Sequence, residues 1–325
     1  MILPNNLKIG VLRGGPSPEY DISLLSGANV LEHLKETHNP VDIFISRKGA
    51  WHTNGIERSP EKIIKNVDVV FNSIHGVYGE DGRLQDLLSR HGVPYTGSAK
   101  IPSAMSMNKN MTKNAAVSLG IKTPTYLIVR KDDDLKNKAY EAFANIPHPL
   151  VVKPVSSGSS LGLYLVNNFS ELFSVLESIL EVYDSALVEE YISGKEITCT
   201  VIDNFRGQNY YSTPPIEVIY EKSSPVWTYG QRYAEETKLL YPTTLLERES
   251  KIVEEASRLI HQHLELSHFS RSDFIVSPKR GVYFLEVNTI PGMTKKSLLP
   301  KSLESIGISF KEFLHHIISL ALNRK

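Results

Sequence analysis

The 325-residue chain carries one cysteine, Cys199, which excludes an internal disulfide framework and any multi-cysteine zinc site. That scarcity suits a reducing compartment, so the cytoplasm is the expected location. The opening MILPNNLKIG lacks a basic segment followed by an apolar one, and no secretory leader is expected. No apolar run approaches the ~18 residues of a membrane span, so no membrane partner is expected. An excess of one charge is also missing: 36 Lys and Arg balance 36 Asp and Glu. A nucleic-acid-binding domain usually shows a basic excess, so no nucleic-acid partner is expected. The zero sum still leaves room for a local basic pocket. Repeats, low-complexity tracts and the GxxxxGK[ST] phosphate loop are absent too. What remains is an ordinary globular composition, 41% hydrophobic and 22% charged. At roughly 100–200 residues per domain the length suits about two domains.

The first 100 residues alternate strand-like and helix-like patterns. LKIGVLR (7–13), VDIFIS (41–46) and VDVVFNSI (67–74) read as strands. A helix with Leu24, Ala28, Leu31 and Leu34 on one face follows the GGPSPE loop, and another is expected at 83–90. Strands separated by helices imply a parallel sheet. From Met107 onward the expected order is a helix at 108–119, strand TYLIV, a polar helix at 134–145 and strand PLVVKP. The turn SSGSSLG, strand LYLV and a helix capped by Asn168 and Glu171 come next. Strands at 186–191, 196–203 and 209–218 lead into a long loop over 220–242. A helix capped by Thr244 and Glu247 follows, with Ile252, Val253, Ala256, Leu259, Ile260 and Leu264 on its apolar face. Two strands, FSRSDFIV and VYFLEVN, and two helices close the chain. Ser309 and Glu312 cap the last helix.

The strand pair holds the strongest chemical signal. Residues two apart in a strand share a face, so Arg271 lies beside Asp273, and Glu286 beside Asn288. If the strands form a hairpin around PKRG, one face presents hard oxygen donors next to a guanidinium, a set suited to Mg²⁺. Alternation alone also allows a solvated polar face. The Pro-Gly turn that ends FLEVNTIPGMT favours the metal. In VVKPVSSGSSLG, Lys153 ends a buried strand ahead of a small-residue turn that can cradle phosphates. With Lys109 in MNKNMTK, two lysines, a flexible turn and an oxygen-rich face describe a nucleoside triphosphate site.

These segments, with GGPSPEYDISLLSG, HGVYGEDGRLQDLL, VEEYISGKEITCTV and LEVNTIPGMTKKSLLP, give the chain its resemblance to a known family. It resembles the D-alanine–D-alanine ligases of the ATP-grasp superfamily over essentially its whole length. The resemblance implies an α/β fold, α+β in its C-terminal part, with a Rossmann-like parallel-sheet domain at 1–104 that holds substrate. An ATP-grasp fold would follow, as a central subdomain at 105–190 and a C-terminal subdomain at 191–325.

It also implies roles. Lys109 and Lys153 would hold ATP phosphates. Glu189, Glu190, Tyr191 and Ile192 would face adenine, and Glu196 the ribose. Asp273, Glu286 and Asn288 would bind two Mg²⁺ ions, or Mn²⁺. Glu19 would take the ammonium of the first D-alanine, with His75 near that substrate. Ser159 and Tyr233 would join Glu19 in closing the long loop. Arg271 and the Gly292 N–H would stabilise the oxyanion, and Ser297 would bind the second D-alanine's carboxylate.

The implied activity is ATP-dependent, ADP-forming ligation of two D-alanines through an acyl phosphate, for peptidoglycan precursors, by a homodimer. Alternatives are a ligase taking D-lactate or D-serine second, or a nucleotide-binding protein without turnover. Arg232-Tyr233 stands where the family commonly has Lys-Tyr, Asn108 replaces the Asp of MDK, and Asp86 replaces a Gly. The tyrosine favours D-alanine over D-lactate. Cys199 is expected to be a buried strand residue. His261, His263, His315 and His316 are expected at the surface or the core edge.

Overall fold

The computed structural model describes residues 3–4, 6–158, 161–220 and 237–324. Three sheets organise it. The first runs β4(Ile56–Glu57)–β3(Trp51–Thr53)–β2(Asn39–Ile45)–β1(Lys8–Gly14)–β5(Val69–Asn72). β1 pairs parallel with both β2 and β5, as the alternation of strands and helices predicts. β3 and β4 add an antiparallel edge that the short, polar segment 51–57 did not announce. Helices α1(Tyr20–Leu34), α2(Pro60–Ile64), α3(Arg83–Arg90) and α4(Lys100–Met107) belong to this part of the chain.

The buried face of α1 differs from the expected one. Ala28 is exposed, whereas Ser23, Ser26, Gly27 and Asn29 are buried. Small and polar residues face inward because α1 lies tight on β1: a Cβ on Gly27 would come within 2.5 Å of Arg13 Cβ. The buried hydroxyls hold backbone, with Ser23 Oγ accepting from Gly14 N–H and donating to the Ser73 carbonyl.

The second sheet is antiparallel, in the order β6(Tyr126–Arg130)–β9(Ser185–Glu190)–β7(Leu150–Pro154)–β8(Tyr164–Val166). α6(Leu135–Asn145) and α7(Phe169–Val182) cover it, burying Ala139, Leu172 and Leu176 against Leu150, Val152 and Val188. Asn168 caps α7 by accepting from Glu171 N–H at 3.0 Å, while the Glu171 carboxylate turns back to Asn167 N–H.

The third sheet runs β13(Lys238–Leu240)–β12(Ile216–Ile219)–β10(Lys195–Phe205)–β14(Phe269–Ser277)–β15(Gly281–Asn288), with β11(Gln208–Ser212) also on β10. The single strand expected at 209–218 is thus two. α5(Lys109–Ser118) and α8(Glu247–His263) pack on this sheet through Ala116, Val253 and Ile260, against Cys199, Phe274 and Phe284. α8 starts later than expected: Leu246 N–H donates to Glu249, while Thr244 spends its N–H and hydroxyl on Glu217. His261, expected at the surface or core edge, is fully buried, held by Ser270 Oγ at 2.7 Å and Asp203 Oδ1 at 2.9 Å.

α9(Leu298–Ser305) and α10(Phe310–Leu322) complete the chain. Ser309 and Glu312 form the predicted reciprocal cap of α10. α10 bridges two sheets: Phe313, Leu314, Ile317 and Ile318 share one core with Ile9, Val11 and Phe71 of the first, Val30 of α1, and Ile202 and Phe269 of the third. No helix among the described residues is long and apolar enough to cross a membrane.

Candidate active site

The expected hairpin exists. β14 and β15 pair antiparallel, with Asp273 opposite Glu286 and Arg271 opposite Asn288, and a bulge between Asp273 and Phe274. All four side chains thus meet on one face. Arg271 clamps Asp273 with two bonds, Nε to Oδ1 at 2.9 Å and Nη2 to Oδ2 at 2.8 Å. Asn288 Nδ2 donates to Asp273 Oδ2 at 3.1 Å, and Thr198 Oγ1 from β10 donates to Oδ1 at 2.8 Å.

Asp273 and Glu286 of this face line a cleft between the second and third sheets. Lys109, at the start of α5, reaches to 3.2 Å from Glu286 Oε2 and also donates to the Ser157 carbonyl. Lys153 projects from β7 and pairs with Glu189 Oε1 at 2.6 Å. Glu189 is buried between two ammonium groups, since Lys113 lies 2.7 Å from its other oxygen. Burial pushes this carboxyl upward, but Lys113 and Lys153 outweigh it and hold it below the usual range. Burial in turn lowers the Lys113 ammonium against the pull of Glu189.

Tyr191, Ile192 and Glu196 line the same cleft, and Glu196 accepts a hydrogen bond from Tyr220 at 3.1 Å. Glu190 also lines it, with its carboxylate engaged by Arg280 at 2.7 and 3.1 Å and by Thr125 N–H.

A second cavity adjoins the first and is lined by Glu19, His75, Arg271, Asn288, Gly292 and Ser297. Glu19 sits at the N-terminal end of α1 in a notch made by glycines. A Cβ on Gly76 or Gly158 would fall 2.6 or 2.7 Å from its Oε2. Gly292 is similarly close to Ser297, whose Oγ a Cβ there would meet at 2.9 Å. His75 is buried, and both of its ring nitrogens face protein groups: Nδ1 the Ile290 carbonyl and Nε2 the Ser26 hydroxyl, each at 2.8 Å. Burial pushes the imidazole down, opposed by the Glu19 charge and the hydrogen bond to the Ile290 carbonyl and aided by the Arg271 charge.

Every predicted site residue within the described segments therefore lines one of two adjoining cavities. Ser159, Tyr233 and the Arg232 departure lie outside the described residues, as does most of the 220–242 loop. Asn108, in place of the acidic residue, caps α5 by accepting from Asn110 and Met111 N–H. Sequence reasoning missed Lys113, Thr198 and Glu80. Lys113 follows Lys109 by four residues, a helical spacing that places both on one face. Glu80 accepts from Gly76 N–H, Thr289 Oγ1 and Ile290 N–H. Burial, then the charge of Glu19, pushes its carboxyl up to about 7.

The donor set tests the implied metal. Among the described residues no three His, Cys, Asp or Glu side chains gather to hold an ion. Two carboxylates, Asp273 and Glu286, and the side chain of Asn288, which can offer its amide oxygen, do share one face. All three are hard oxygen donors, few in number, which fits an ion that keeps water and phosphate oxygens for its other positions. The residues present fit Mg²⁺ or Mn²⁺.

Comparison with known proteins agrees along the whole chain. Residues 116–319 match the family model described as D-ala D-ala ligase C-terminus, and residues 8–63 and 52–98 match D-ala D-ala ligase N-terminus. The D-alanine–D-alanine ligase of Aquifex aeolicus is 36% identical over 316 residues, covering 96% of this chain and all of the relative. The Bacillus anthracis D-alanine–D-alanine ligase complexed with ATP superposes with a TM-score of 0.80 at 30% identity, covering 97% of both chains. The VanG D-Ala:D-Ser ligase of Enterococcus faecalis superposes at 0.83 with 30% identity, over 97% of this chain and 99% of the other.

Proposed function

The chain belongs to the D-alanine–D-alanine ligase family, and from that premise we propose that its two cavities join two D-alanines at the expense of ATP. The observation that carries this reading is the Asp273–Glu286 pair, set across one rung of β14 and β15 and facing Lys109 at 3.2 Å. We further propose the residue roles. Lys109 and Lys153 hold the phosphates, Glu189 to Ile192 border the base, and Glu196 takes the ribose. Asp273, Glu286 and Asn288 hold Mg²⁺ or Mn²⁺, which when bound offsets charge on the transferring phosphoryl group. Glu19 receives the ammonium of the first D-alanine, and Ser297 the carboxylate of the second. The division into sections 1–104, 105–190 and 191–325, the dimeric state and the cytoplasmic location belong to the same proposal.

The chemistry explains why both signs of charge are needed. A carboxylate is a poor electrophile, so a carboxylate oxygen of the first D-alanine takes the γ-phosphoryl group and ADP departs. Lys109, Lys153 and Arg271 offset the charge of that transfer, which is mostly positioning and electrostatics. The amine of the second D-alanine then attacks the acyl carbon. The oxyanion forms beside Arg271 and the Gly292 N–H, and collapses with loss of phosphate and formation of the amide.

The test is an assay of phosphate release with ATP, Mg²⁺ and D-alanine, with the product identified. D-alanyl-D-alanine is expected, and its absence rejects the reading. Because the D-Ala:D-Ser ligase superposes as closely as the D-Ala:D-Ala enzyme, D-serine and D-lactate are included as competing second substrates. A mixed product carrying either one overturns the choice of D-alanine.

A further inference from the structure

The segment Ile290-Pro291-Gly292-Met293 follows β15 and carries the proposed oxyanion donor. Its four residues are unevenly free. Pro291 has a fixed φ, whereas Gly292 has the widest backbone freedom of any residue. A donor on such a peptide has a defined direction only if both flanks are held.

Both flanks are held, and by side chains of the first sheet's unit. At the leading end, Ile290 N–H donates to Glu80 Oε2 at 3.0 Å, and the Ile290 carbonyl accepts from His75 Nδ1 at 2.8 Å. At the trailing end, Met293 N–H donates to Ser26 Oγ at 3.2 Å, and the Met293 carbonyl accepts from Asn29 Nδ2 at 2.8 Å. The two ends are joined: a carbonyl can only accept, so His75 carries a proton on Nδ1, and its Nε2 lies within hydrogen-bond distance of the Ser26 hydroxyl, at 2.8 Å. Glu80 is itself fixed by Gly76 N–H at 2.8 Å and Thr289 Oγ1 at 3.1 Å. Ile290 and Met293 bury their side chains, and Gly292 between them borders the cavity with Arg271 and Ser297.

We propose that Glu80, His75, Ser26 and Asn29 are positioning residues that clamp residues 290–293 from both sides and so aim the Gly292 N–H at the reacting carbonyl. The proposal rests on the reading of Gly292 as the oxyanion donor. It deepens that reading by placing control of the donor in a different part of the chain from the lysines that face the nucleotide. Loss of the clamp therefore acts on turnover and leaves nucleotide binding alone. A preorganised oxyanion donor contributes about 10²–10³ in kcat, and a displacement near 1 Å costs about 10².

The test compares Glu80→Gln, Glu80→Ala, Asn29→Ala and the double variant Glu80→Gln/Asn29→Ala with the wild-type protein. The measurements are kcat for dipeptide formation, KM for ATP, ADP affinity and melting temperature. The expected result is a kcat lowered roughly 10- to 100-fold, with ATP KM and ADP affinity within about twofold. Glu80→Gln, which keeps one acceptor oxygen, loses less than Glu80→Ala. The double variant falls by less than the product of its singles, because both hold the same short segment, residues 290–293.

Wild-type kcat in Glu80→Ala and Asn29→Ala overturns the clamp, as does a loss of ADP affinity that tracks the loss of kcat. Should Glu80→Ala fail to fold, Asn29→Ala, which touches the Met293 carbonyl, decides alone by the same criteria. A wild-type protein that forms no dipeptide rejects the ligase reading instead, and the clamp's stated role falls with it.

Discussion

Lys113 and Glu189 form an ion pair of 2.7 Å inside the cleft wall, with side chains 0% and 4% exposed. Removing one member of a buried pair leaves a charge without compensation, which costs about 3–5 kcal/mol. Lys153 still opposes Glu189, so Lys113→Met is expected to cost about 3 kcal/mol, the low end of that range. Urea unfolding measures it. The ATP KM should also rise, because Lys153 is drawn further toward Glu189 and away from phosphate.

Glu286→Gln keeps the shape of the proposed metal face and removes one of its charges. Dipeptide formation is expected to fall about 10²-fold, and the Mg²⁺ concentration for half-maximal rate to rise. Near-normal turnover at ordinary Mg²⁺ rejects the assignment of this residue.

Gly76 has a φ of +70°, and a Cβ there would lie 2.6 Å from both Glu19 Oε2 and Ser17 Oγ. Gly76→Ala therefore forces the Glu19 carboxylate aside and adds roughly 1–2 kcal/mol of backbone strain. The D-alanine KM is expected to rise roughly tenfold, equivalent to about 1.4 kcal/mol, with the ATP KM unchanged. An unchanged D-alanine KM separates Glu19 from substrate binding.

His268 is buried, with Nδ1 accepting Gly97 N–H at 3.1 Å. Burial, then the Arg324 guanidinium, pushes its imidazole down to about 3. An unfolded histidine titrates near 6.5, so between those values the unfolded chain binds more protons and stability falls as pH falls. The slope from this group approaches ~1.4 kcal/mol per pH unit. His268→Gln should flatten the pH dependence of the urea midpoint over that window, and an unchanged profile counts against the assignment.

Cys199 lies fully buried on β10, and burial pushes its thiol up to about 12. Iodoacetamide at pH 8 is expected to leave the folded protein unmodified and to alkylate it in urea, as mass spectrometry would show. Rapid labelling of the folded state would contradict this packing.

Strongly patterned segments were legible from sequence. The 83–90 helix, the Ser309–Glu312 cap and the Asp273/Glu286 face each depend on spacing within a few residues, and local spacing fixed them. This carboxylate face was legible because a tight hairpin turns a two-residue period into a register. The buried polar face of α1 was not, because Ser26 and Asn29 face inward to hold peptides more than 260 residues away in sequence. Hydrophobic periodicity treats such residues as solvent-facing. Glu80 escaped for the same reason, since its partners at Thr289 and Ile290 come from the far end of the chain. The start of α8 was misplaced by a competing use of Thr244, whose hydroxyl binds Glu217 instead of capping.

The place of α10 on the first sheet has a consequence for how the protein is made. At about 5–20 residues per second, roughly 12–48 s pass between the emergence of β5 from the ribosome and that of α10. During that interval the apolar surface of Val11, Val30 and Phe71 has been synthesised, but its cover of Phe313, Ile317 and Ile318 has not. The first part of the chain to appear is thus among the last to close, and the nascent polypeptide exposes a sticky face for most of its synthesis.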